Sequence, residues 1–361
     1  MKAAVMRAWK SPLEIEDVQI DAPGPREVLV RTAASGVCHS DLHVIEGALP
    51  MPPPTILGHE PAGIVEAVGS EVSQFAPGDH VIGCLSAFCG SCEFCIIGKP
   101  YLCGGAACNR AADQPPRLSK DGEAIPQFAH LSSFAESMLT HENALVKIRD
   151  DMPLDRAALI GCGVTTGLGA VLNTACVRPG NSTAVIGCGG VGLSAIQGCR
   201  IAGASRIVAI DNQAWKLELA RTMGATDVID SSEGDPVAQA KELSAGGLDF
   251  AFEAIGLKET VSQAVGMIKK GGTAVLVGVV PFGTMIELPG LDITLSEKRV
   301  IGSMMGSNRF RIDMPRYVDL YLQGELKLDE MISARLDLED INGAFDEMRK
   351  GTAARSVIVF D

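Results

Sequence analysis

A glycine-rich turn between two β-type runs constrains the fold more than any other feature of this sequence. The short run 182–186 leads into Gly187-Cys-Gly-Gly-Val-Gly192, and residues 193–202 then favour a helix. A second β-type run, 206–210, ends in Asp211, so strand, turn, helix, strand and acid fit within about thirty residues. This order predicts a Rossmann unit in an α/β, doubly wound parallel sheet.

The same turn has the chemistry of a dinucleotide site. One glycine makes the tight turn, one lets the backbone approach a pyrophosphate, and one lets the helix pack on the strand, while the helix N-terminus attracts the phosphates. Asp211 is expected to accept hydrogen bonds from the adenosine ribose and to repel a 2′-phosphate, which favours NAD over NADP. A glycine turn that binds nothing is the alternative. The predicted cofactor contacts in this unit are Gly187, Gly189, Gly190, Val191, Gly192 and Asp211.

The alternation of helix and strand continues beyond Asp211. Helices are predicted over 214–223, 236–244 and 261–269, and strands over 227–230, 248–255, 273–280 and 299–303, which gives about six parallel strands. The sequence before residue 163 has short β segments separated by Gly and Pro turns, and the end of the chain has a strand-like run at 356–360. We therefore predict a β-rich domain formed by 1–163 and 306–361, and a nucleotide-binding domain formed by 164–305.

Four cysteines lie close together in the first of these domains. Their spacing is C-x2-C-x2-C-x7-C, at Cys89, Cys92, Cys95 and Cys103. Zinc is the usual occupant of a closed four-thiolate site, and such a site has a structural role because no coordination position is left open. A lobe at about 84–108 organised by structural zinc is therefore predicted, with an iron–sulfur cluster and a chance run as alternatives.

Composition limits the possible partners and compartment. The net charge of −13 disfavours nucleic acid and anionic membranes, which attract basic surfaces. The first thirty residues lack a signal-peptide pattern, and apolar runs such as 274–282 are too short to cross a bilayer, so a cytoplasmic location is expected. In a reducing compartment the eleven cysteines are metal ligands, buried residues or reactive thiols rather than disulfides. Cys188 in the phosphate turn is interpreted as structural, with thiol reactivity as the alternative.

A third group of residues, Cys38-His-Ser-Asp-Leu-His43 and Gly58-His-Glu60, offers a second metal site. Together with the four-cysteine lobe and the glycine turn, it resembles the zinc-dependent medium-chain alcohol dehydrogenases along the whole chain. The resemblance implies that the β-rich domain is GroES-like and catalytic. It also implies a catalytic zinc held by Cys38, His59 and Cys162, with alcohol in the fourth position, and hence two zinc ions per chain.

The resemblance also assigns roles to neighbouring residues. Ser40 and His43 match a proton relay, Asp41 matches the carboxylate that orients His59, and Glu60 matches a buried acid behind the zinc. Helix capping is the alternative for Ser40 and Asp41. Further cofactor contacts implied by position are His39, Val191, Lys216 and Arg355; core packing is the alternative for Val191, and a surface cation is the alternative for Lys216 and Arg355.

The implied activity is NAD-dependent oxidation of primary alcohols, of medium, branched or aromatic type, to aldehydes, or the reverse reaction. It proceeds by alkoxide formation on zinc and hydride transfer to nicotinamide C4. His39 stands where the family often has arginine, which predicts weaker NAD binding. Gly47-Ala48-Leu49 offers no charged anchors for glutathione, and the substrate pocket is assigned by resemblance to Leu85, Ile286, Leu288 and the Phe282 region.

Three other interpretations of the function remain open. They are an alcohol dehydrogenase that keeps NAD permanently bound, a zinc-free quinone or enone reductase of the same fold, and a non-enzymatic nucleotide sensor with one metal ion. The long segment between Cys103 and Cys162 resembles the dimeric branch of the family. A homodimer that pairs through the edge strand at 299–303 is therefore expected.

Overall fold

The structure is a computed structural model that describes residues 1–111 and 113–361. The chain forms two compact units, one of Met1–Cys162 with Arg309–Asp361 and one of Gly163–Asn308. The sequence predicts boundaries at 163/164 and 305/306. In the structure the second boundary lies at 308/309, because residues 306–308 belong to the second unit. The side-chain amide of Asn173 donates to the carbonyl of Gly306 at 3.3 Å, and the hydroxyl of Thr166 donates to the sulfur of Met305.

The strands of the described residues, in chain order, are β1 (Lys2–Met6), β2 (Glu14–Asp17), β3 (Gln19–Ile20), β4 (Glu27–Gly36), β5 (Thr55–Ile56), β6 (Pro61–Val68), β7 (His80–Gly83), β8 (Leu118–Lys120), β9 (Glu123–Ala124), β10 (Ser137–His141), β11 (Leu145–Lys147), β12 (Ser182–Ile186), β13 (Arg206–Asp211), β14 (Asp227–Asp230), β15 (Leu248–Glu253), β16 (Ile268–Leu276), β17 (Arg299–Gly302), β18 (Ile332–Leu336) and β19 (Arg355–Val359). The α-helices are α1 (His39–Ile45), α2 (Glu93–Ile96), α3 (Leu154–Leu159), α4 (Thr165–Gly169), α5 (Gly190–Ile201), α6 (Ala214–Met223), α7 (Pro236–Leu243), α8 (Lys258–Met267), α9 (Gly290–Leu295), α10 (Phe310–Leu322) and α11 (Ile341–Lys350).

The second unit contains a sheet with the strand order β14-β13-β12-β15-β16-β17, in which all neighbours are parallel. This confirms the predicted six-stranded Rossmann sheet. The chain proceeds outward from β12 to β13 and β14, and then returns to the other side of β12 as β15. Ligands of such sheets bind at the carboxyl ends of the strands where the order reverses, here β12 and β15.

The bounds of the strands predicted over 248–255 and 273–280 differ from those of β15 and β16, and the largest difference lies between α8 and β16. The helix predicted over 261–269 spans Lys258–Met267, and β16 already begins at Ile268. Leu248 pairs with Ile268, and an irregularity in the register follows before Phe250 pairs with Thr273. The irregularity lets the polar residues 269–272 leave the regular ladder, which a hydrophobic pattern alone does not reveal.

The first unit is β-rich, as predicted. Its largest sheet has the order β11-β7-β6-β4-β19-β18, with β10 also paired to β4, and β2-β1-β5 and β3-β8-β9 form two smaller sheets. The C-terminal strand β19 lies antiparallel to β4, with Val357 opposite Gly36. This pairing brings the end of the chain beside the segment that follows β4, where Cys38 lies.

The helical stretch Leu154–Ala175 contains α3 and α4. A wider π-helical turn follows each of them, at Ile160–Val164 after α3 and at Ala170–Ala175 after α4. No predicted element covers this stretch, although its 22 residues are long and apolar enough to cross a membrane. In the structure 83% of its most apolar part is buried inside the protein, which is typical of a core helix.

Candidate metal centres and cofactor site

Four buried side chains converge in the first unit. The ligand atoms of Cys38, His59, Glu60 and Cys162 all lie within 4.8 Å of one another. Nε2 of His59 is buried and has no hydrogen-bond partner among the described residues, an arrangement that is costly unless something else occupies that direction. Two thiols and an imidazole nitrogen form a ligand set that suits zinc, so the residues fit the metal that sequence analysis assigned to them.

Local backbone geometry brings these residues together. Cys38 precedes α1, His59 lies between β5 and β6, and Cys162 lies in the π-helical turn Ile160–Val164. Gly58 has a φ of 91°, where a Cβ would stand 2.7 Å from the hydroxyl of Ser133. Such a conformation suits glycine, and π-turns within helices frequently mark functional sites.

Asp41 orients the imidazole of His59. Its Oδ1 lies 3.1 Å from Nδ1 of His59 and accepts the N–H of Gly58 at 3.0 Å, and both side chains are fully buried. A carboxylate at Nδ1 places the proton on that nitrogen and leaves the lone pair of Nε2 directed into the cluster. The predicted role of Asp41 therefore agrees with its geometry.

Acidic neighbours raise the affinity of the His59 imidazole for a proton. Burial alone would lower the pKa of His59, but the carboxylate of Asp41 and then the thiol of Cys38 raise the pKa to about 10. A hydrogen bond from Cys162 holds the pKa of Cys38 well below its usual range, although burial opposes this. The charges that attract a proton to this site also attract a divalent cation.

Arg355 lies beside the metal cluster, and its predicted contact with the cofactor phosphates remains a prediction. The residue is buried and its guanidinium donates to Oε2 of Glu60, which is itself fully buried. It is therefore not a surface cation, and its partner within the first unit is the acid of the metal cluster. The sequence offered no signal for this pair because the two residues meet only through the pairing of β19 with β4.

The predicted relay residues lie together on α1. Ser40 and His43 are partly buried, and His39 is exposed with its ring centroid 6.4 Å from that of His43. The helix starts directly after Cys38, which places all three residues near the cluster in sequence. Their roles in proton transfer and phosphate binding remain predictions.

Phe128 is a neighbour of the cluster that sequence analysis missed. Its ring meets that of His59 edge to face, with centroids 5.5 Å apart and planes at 85°. The residues that follow include Ala129, His130 and Ser132 with φ values of 54°, 62° and 59°, which non-glycine residues adopt at a cost. No motif marks this segment, so only the structure identifies it.

The four-cysteine lobe has the geometry of a single tetrahedral ion. All four sulfurs lie within 4.8 Å of one another, with 3.6 Å between Cys92 and Cys95 and 3.9 Å between Cys89 and Cys95. A tetrahedral zinc with bonds of about 2.3 Å separates its sulfurs by about 3.8 Å. A cluster of several irons would hold them further apart, so the spacing favours one metal ion.

Backbone amides support these thiols. The N–H groups of Ser91 and Cys92 donate to Sγ of Cys89 at 3.4 and 3.2 Å and lower the pKa of Cys89 to about 6. By contrast, burial raises the pKa of Cys108 to about 11, and its thiol donates to the carbonyl of Phe88. Cys108 therefore lies outside the ligand set, as expected.

In the second unit the glycine turn ends β12 and begins α5. Gly187 has a φ of 94°, and a Cβ on Gly192 would clash with the carbonyl of Gly187, whereas a Cβ on Gly189 would meet nothing within 4 Å. The backbone at Gly189 thus faces open space before the N-terminus of α5, which fits a phosphate group. Val191 and Gly190 follow in the first turn of α5 and are partly exposed.

Asp211 lies at the carboxyl end of β13 and is nearly buried. Its Oδ2 accepts the N–H of Cys188 at 2.8 Å, and its Oδ1 accepts those of Asn212 and Gln213 at 2.9 and 3.1 Å. The carboxylate therefore fixes the glycine turn and retains lone pairs for a ribose.

Lys216, another predicted cofactor contact, lies in the first turn of α6. Its Nζ lies 5.6 Å from the ring centroid of the neighbouring Trp215.

Two other predictions concern Cys188 and the substrate pocket. Burial raises the pKa of the Cys188 thiol far above its usual range, which supports a structural role.

The residues predicted to line the substrate pocket lie in both units. Leu85 of the first unit is partly buried. In the second unit, Leu288 packs against the core of that unit and Phe282 is 97% exposed. The assignment of these residues to a substrate pocket remains a prediction.

Comparisons with known proteins agree with this geometry. Residues 24–150 match the family model of the alcohol dehydrogenase GroES-like domain, and residues 190–323 match that of zinc-binding dehydrogenases. A putative alcohol dehydrogenase D from Mycobacterium tuberculosis is 37% identical over 99% of both chains. A class-3 alcohol dehydrogenase from rice is 40% identical and covers 100% of this chain and 97% of its own length. The crystal structure of benzyl alcohol dehydrogenase from Acinetobacter calcoaceticus has a TM-score of 0.95 and 35% identity, and the match covers 100% of this chain and 99% of that chain.

Proposed function

Because this chain belongs to the zinc-dependent medium-chain alcohol dehydrogenase family of oxidoreductases, we propose that it interconverts primary alcohols and aldehydes with NAD. The observation that carries this proposal is the convergence of Cys38, His59 and Cys162 around the unpartnered Nε2 of His59. A zinc-free reductase of the same fold has no use for these three ligands in one buried cluster. A nucleotide sensor with a single metal likewise leaves them without a role.

The residues of the cluster have separate tasks in the proposed reaction. Cys38, His59 and Cys162 would hold a zinc ion, which would supply a Lewis acid that lowers the pKa of an alcohol. Asp41 keeps His59 in the tautomer that can coordinate. Arg355 neutralises Glu60, so the acid adds less charge to the site.

Proton release is assigned to α1. Ser40 takes the proton of the alcohol and passes it through His43 to solvent, a role that fits the partly exposed position of both side chains. An imidazole is well suited to this step because one ring nitrogen can accept a proton while the other donates one. The turn from Gly187 to Gly192 would bind the proposed cofactor NAD, which would supply the hydride acceptor. Asp211 disfavours the 2′-phosphate of NADP.

Aromatic or branched primary alcohols are the proposed substrates. Phe128 presents an apolar ring against His59, and one similar structure is named a benzyl alcohol dehydrogenase. One relative, from Schizosaccharomyces pombe, is named a probable S-(hydroxymethyl)glutathione dehydrogenase and is 40% identical. That substrate is disfavoured because Gly47-Ala48-Leu49 carries no charge for glutathione.

A substrate panel tests the proposal. NADH or NADPH formation is measured with benzyl, branched aliphatic and linear alcohols and with S-hydroxymethylglutathione, with and without an artificial hydride acceptor. We expect the highest kcat/KM for benzyl or branched alcohols with NAD. Activity with quinones alone, or the fastest turnover with S-hydroxymethylglutathione, would contradict it. Turnover that requires the artificial acceptor would indicate a permanently held NAD.

We also propose that the enzyme is a cytoplasmic homodimer. Strand β17 lies at the edge of the sheet in the second unit, and Phe282, Met285, Leu291 and Leu295 are exposed apolar side chains of the same unit. An open strand edge next to apolar surface favours pairing across a two-fold axis. Light scattering should give the mass of a dimer, and Leu295→Lys with Met285→Lys should give that of a monomer.

A further inference from the structure

Residues 127–132, here called the bridge, lie against the segment that carries His59. The ring of Phe128 meets that of His59 edge to face, with centroids 5.5 Å apart. The N–H of Phe128 donates to the hydroxyl of Ser132 at 3.0 Å, and that hydroxyl donates to the carbonyl of Ile56 at 2.7 Å. Ile56 ends β5 shortly before His59, so the bridge holds both the ring of His59 and the chain that leads to it.

The first residue of the bridge is connected to the four-cysteine lobe through one arginine. Nη2 of the buried Arg117 donates to the carbonyl of Cys108 at 2.6 Å, just past the four metal-ligating cysteines. Nη1 of the same guanidinium donates to Oε1 of Gln127 at 3.0 Å. The amide of Gln127 donates in turn to the carbonyls of Leu131 at 3.3 Å and Leu139 at 3.0 Å. A displacement of Cys108 is therefore transmitted to the bridge by directional hydrogen bonds.

A second contact between the bridge and the lobe is direct. Gly105 follows the proposed ligand Cys103 closely and has a φ of 63°. A Cβ on Gly105 would stand 3.0 Å from Nε2 of His130 and 3.1 Å from the carbonyl of Ala87. The N–H of Gly105 also donates to Sγ of Cys103 at 3.5 Å. The bridge thus packs against the part of the lobe that carries its last ligand.

The bridge has an unfavourable backbone conformation that its surroundings must maintain. Ala129, His130 and Ser132 have φ values of 54°, 62° and 59°, and such conformations persist only where neighbouring structure imposes them. The lobe is one of these neighbours, yet it has little core of its own: no residue of α2 is buried and Ile96 is 74% exposed. A lobe of this kind depends on its metal for order. Loss of that metal therefore removes a support of the bridge.

We propose that the bridge couples the two candidate metal sites, so that an ordered four-cysteine lobe fixes Phe128 and His59 through Arg117 and Gln127. Arg117 and Gln127 are positioning residues, because they act through the bridge and touch no reacting atom. This inference rests on the proposed function, which assigns a zinc ion to each site. The coupling is reciprocal, so that an occupied His59 cluster also favours the ordered lobe.

A double-mutant cycle measures the coupling. Cys103→Ser empties the lobe, and chelator competition gives the zinc affinity of the other site, with protection of Cys38 and Cys162 from alkylation as its readout. We expect Cys103→Ser to weaken zinc binding there by about fivefold, because His59 loses a fixed neighbour. In a Gln127→Met background the same change should matter by less than about twofold. Equal effects in both backgrounds, or no effect in the wild-type background, would overturn the inference.

Asn143→Ala provides a matched control background. Nδ2 of Asn143 donates to the carbonyl of Phe88 at 2.8 Å, which is the same kind of contact at the other end of the lobe. Among the described residues Asn143 forms no hydrogen bond with the bridge. In this background Cys103→Ser should still weaken the zinc affinity of the His59 cluster by about fivefold. If Asn143→Ala abolished the effect as Gln127→Met does, the bridge would not be its carrier.

Hydrogen exchange tests the bridge without any variant. Wild-type protein with both zinc ions is compared with protein from which a mild chelator has removed the lobe ion, as shown by alkylation of Cys89 and Cys92. We expect faster exchange at the N–H of Phe128 and unchanged exchange at that of Ile148, which donates to the carbonyl of His80 in the same unit. Unchanged exchange at Phe128 would overturn the inference even if Gln127→Met failed to fold.

Failure of the proposed function has a different signature. If zinc never protected Cys38 and Cys162 in the wild type, the proposed catalytic metal site would be refuted. The exchange rate at Phe128 would still show whether order in the lobe reaches the bridge.

Discussion

Arg355 donates a hydrogen bond to Glu60 although 295 positions separate the two residues in sequence. Both are buried, and Glu60 belongs to the same cluster of ligand atoms as Cys38, His59 and Cys162. The pairing of β19 with β4 creates this contact, so the C-terminal strand lies beside the candidate metal cluster. A buried ion pair of this kind is destabilising when one partner is lost.

We predict that Arg355→Met destabilises the protein by about 3–5 kcal/mol, because the buried carboxylate of Glu60 loses the guanidinium that offsets its charge. Urea unfolding of the zinc-loaded enzyme measures the change. Arg335→Met is the control, since Arg335 forms a partly exposed pair with Asp155 at 2.7 Å and should cost no more than about 1 kcal/mol. The double variant Arg355→Met with Glu60→Gln should recover part of the loss; equal effects of the two single arginine variants would refute the argument.

A second prediction concerns the orientation of His59. Asp41→Asn keeps an oxygen near Nδ1 of His59 but removes the negative charge that fixes the tautomer. Loss of such a partner typically costs 10–100-fold in metal affinity, so we expect about that decrease for one of the two proposed zinc ions. Chelator competition with a colorimetric zinc indicator measures it. Asp346→Asn, at an exposed acid, should leave both ions in place.

The sequence predicted those features whose residues lie close together along the chain. The glycine turn, Asp211 and the four cysteines each lie within one short segment, so spacing alone reports their geometry. The six-stranded sheet follows from the alternation of strands and helices. By contrast, Cys38, His59 and Cys162 are far apart in sequence, and only the resemblance to a family joined them.

The contacts that were missed depend on tertiary packing. Phe128 reaches His59, and Arg355 reaches Glu60, through strand pairing and loop conformations that no local pattern encodes. Gln127 looks like an ordinary loop residue in the sequence, and its importance lies in the partners that fold around it. Long-range polar contacts are therefore where the structure adds most to the sequence.

A third prediction separates the two metal sites. Cys103→Ser removes one thiolate from the four-cysteine lobe, so we expect one zinc ion per chain instead of two and faster proteolysis within 89–103. Cys108→Ser is the matched control, because this buried thiol lies beside the lobe but outside the ligand set. It should retain both ions. Metal analysis and limited proteolysis decide the matter; two ions in Cys103→Ser would contradict the assignment.

A fourth prediction concerns His39, which stands exposed at the start of α1. If this residue faces the pyrophosphate, His39→Arg should tighten NADH binding by about tenfold, because a guanidinium is always charged and can bind phosphate with two donors. NADH fluorescence titration gives the affinity, and stopped-flow displacement should show slower release. His39→Lys, a point charge, should lie between the two. An unchanged affinity in His39→Arg would remove His39 from the cofactor site.

The fifth prediction concerns acid stability and the buried carboxylate of Glu27. Nε of Arg117 donates to Glu27 at 2.7 Å, Nη2 of Arg110 at 2.6 Å and the N–H of Gly24 at 2.8 Å. Burial alone would raise the pKa of Glu27, but Arg110, then Gly24 and Arg117, lower the pKa to about 2. An unfolded glutamate has a pKa of about 4.3. The folded state therefore binds fewer protons, and the stabilisation is complete above about pH 4.3.

As the pH falls from about 4.3 to about 2, this stabilisation of about 3 kcal/mol is lost, at about 1.4 kcal/mol per pH unit. Glu27→Gln lacks this charge at every pH, so its deficit relative to the wild type should be largest near neutrality and should shrink in this acid range. Urea midpoints of both proteins from about pH 7 to about pH 3 measure the difference, in which other titrating groups largely cancel. Glu66→Gln, at an exposed glutamate, should run parallel to the wild type. A deficit for Glu27→Gln that stays constant with pH would show that its packing, and not its charge, stabilises the fold.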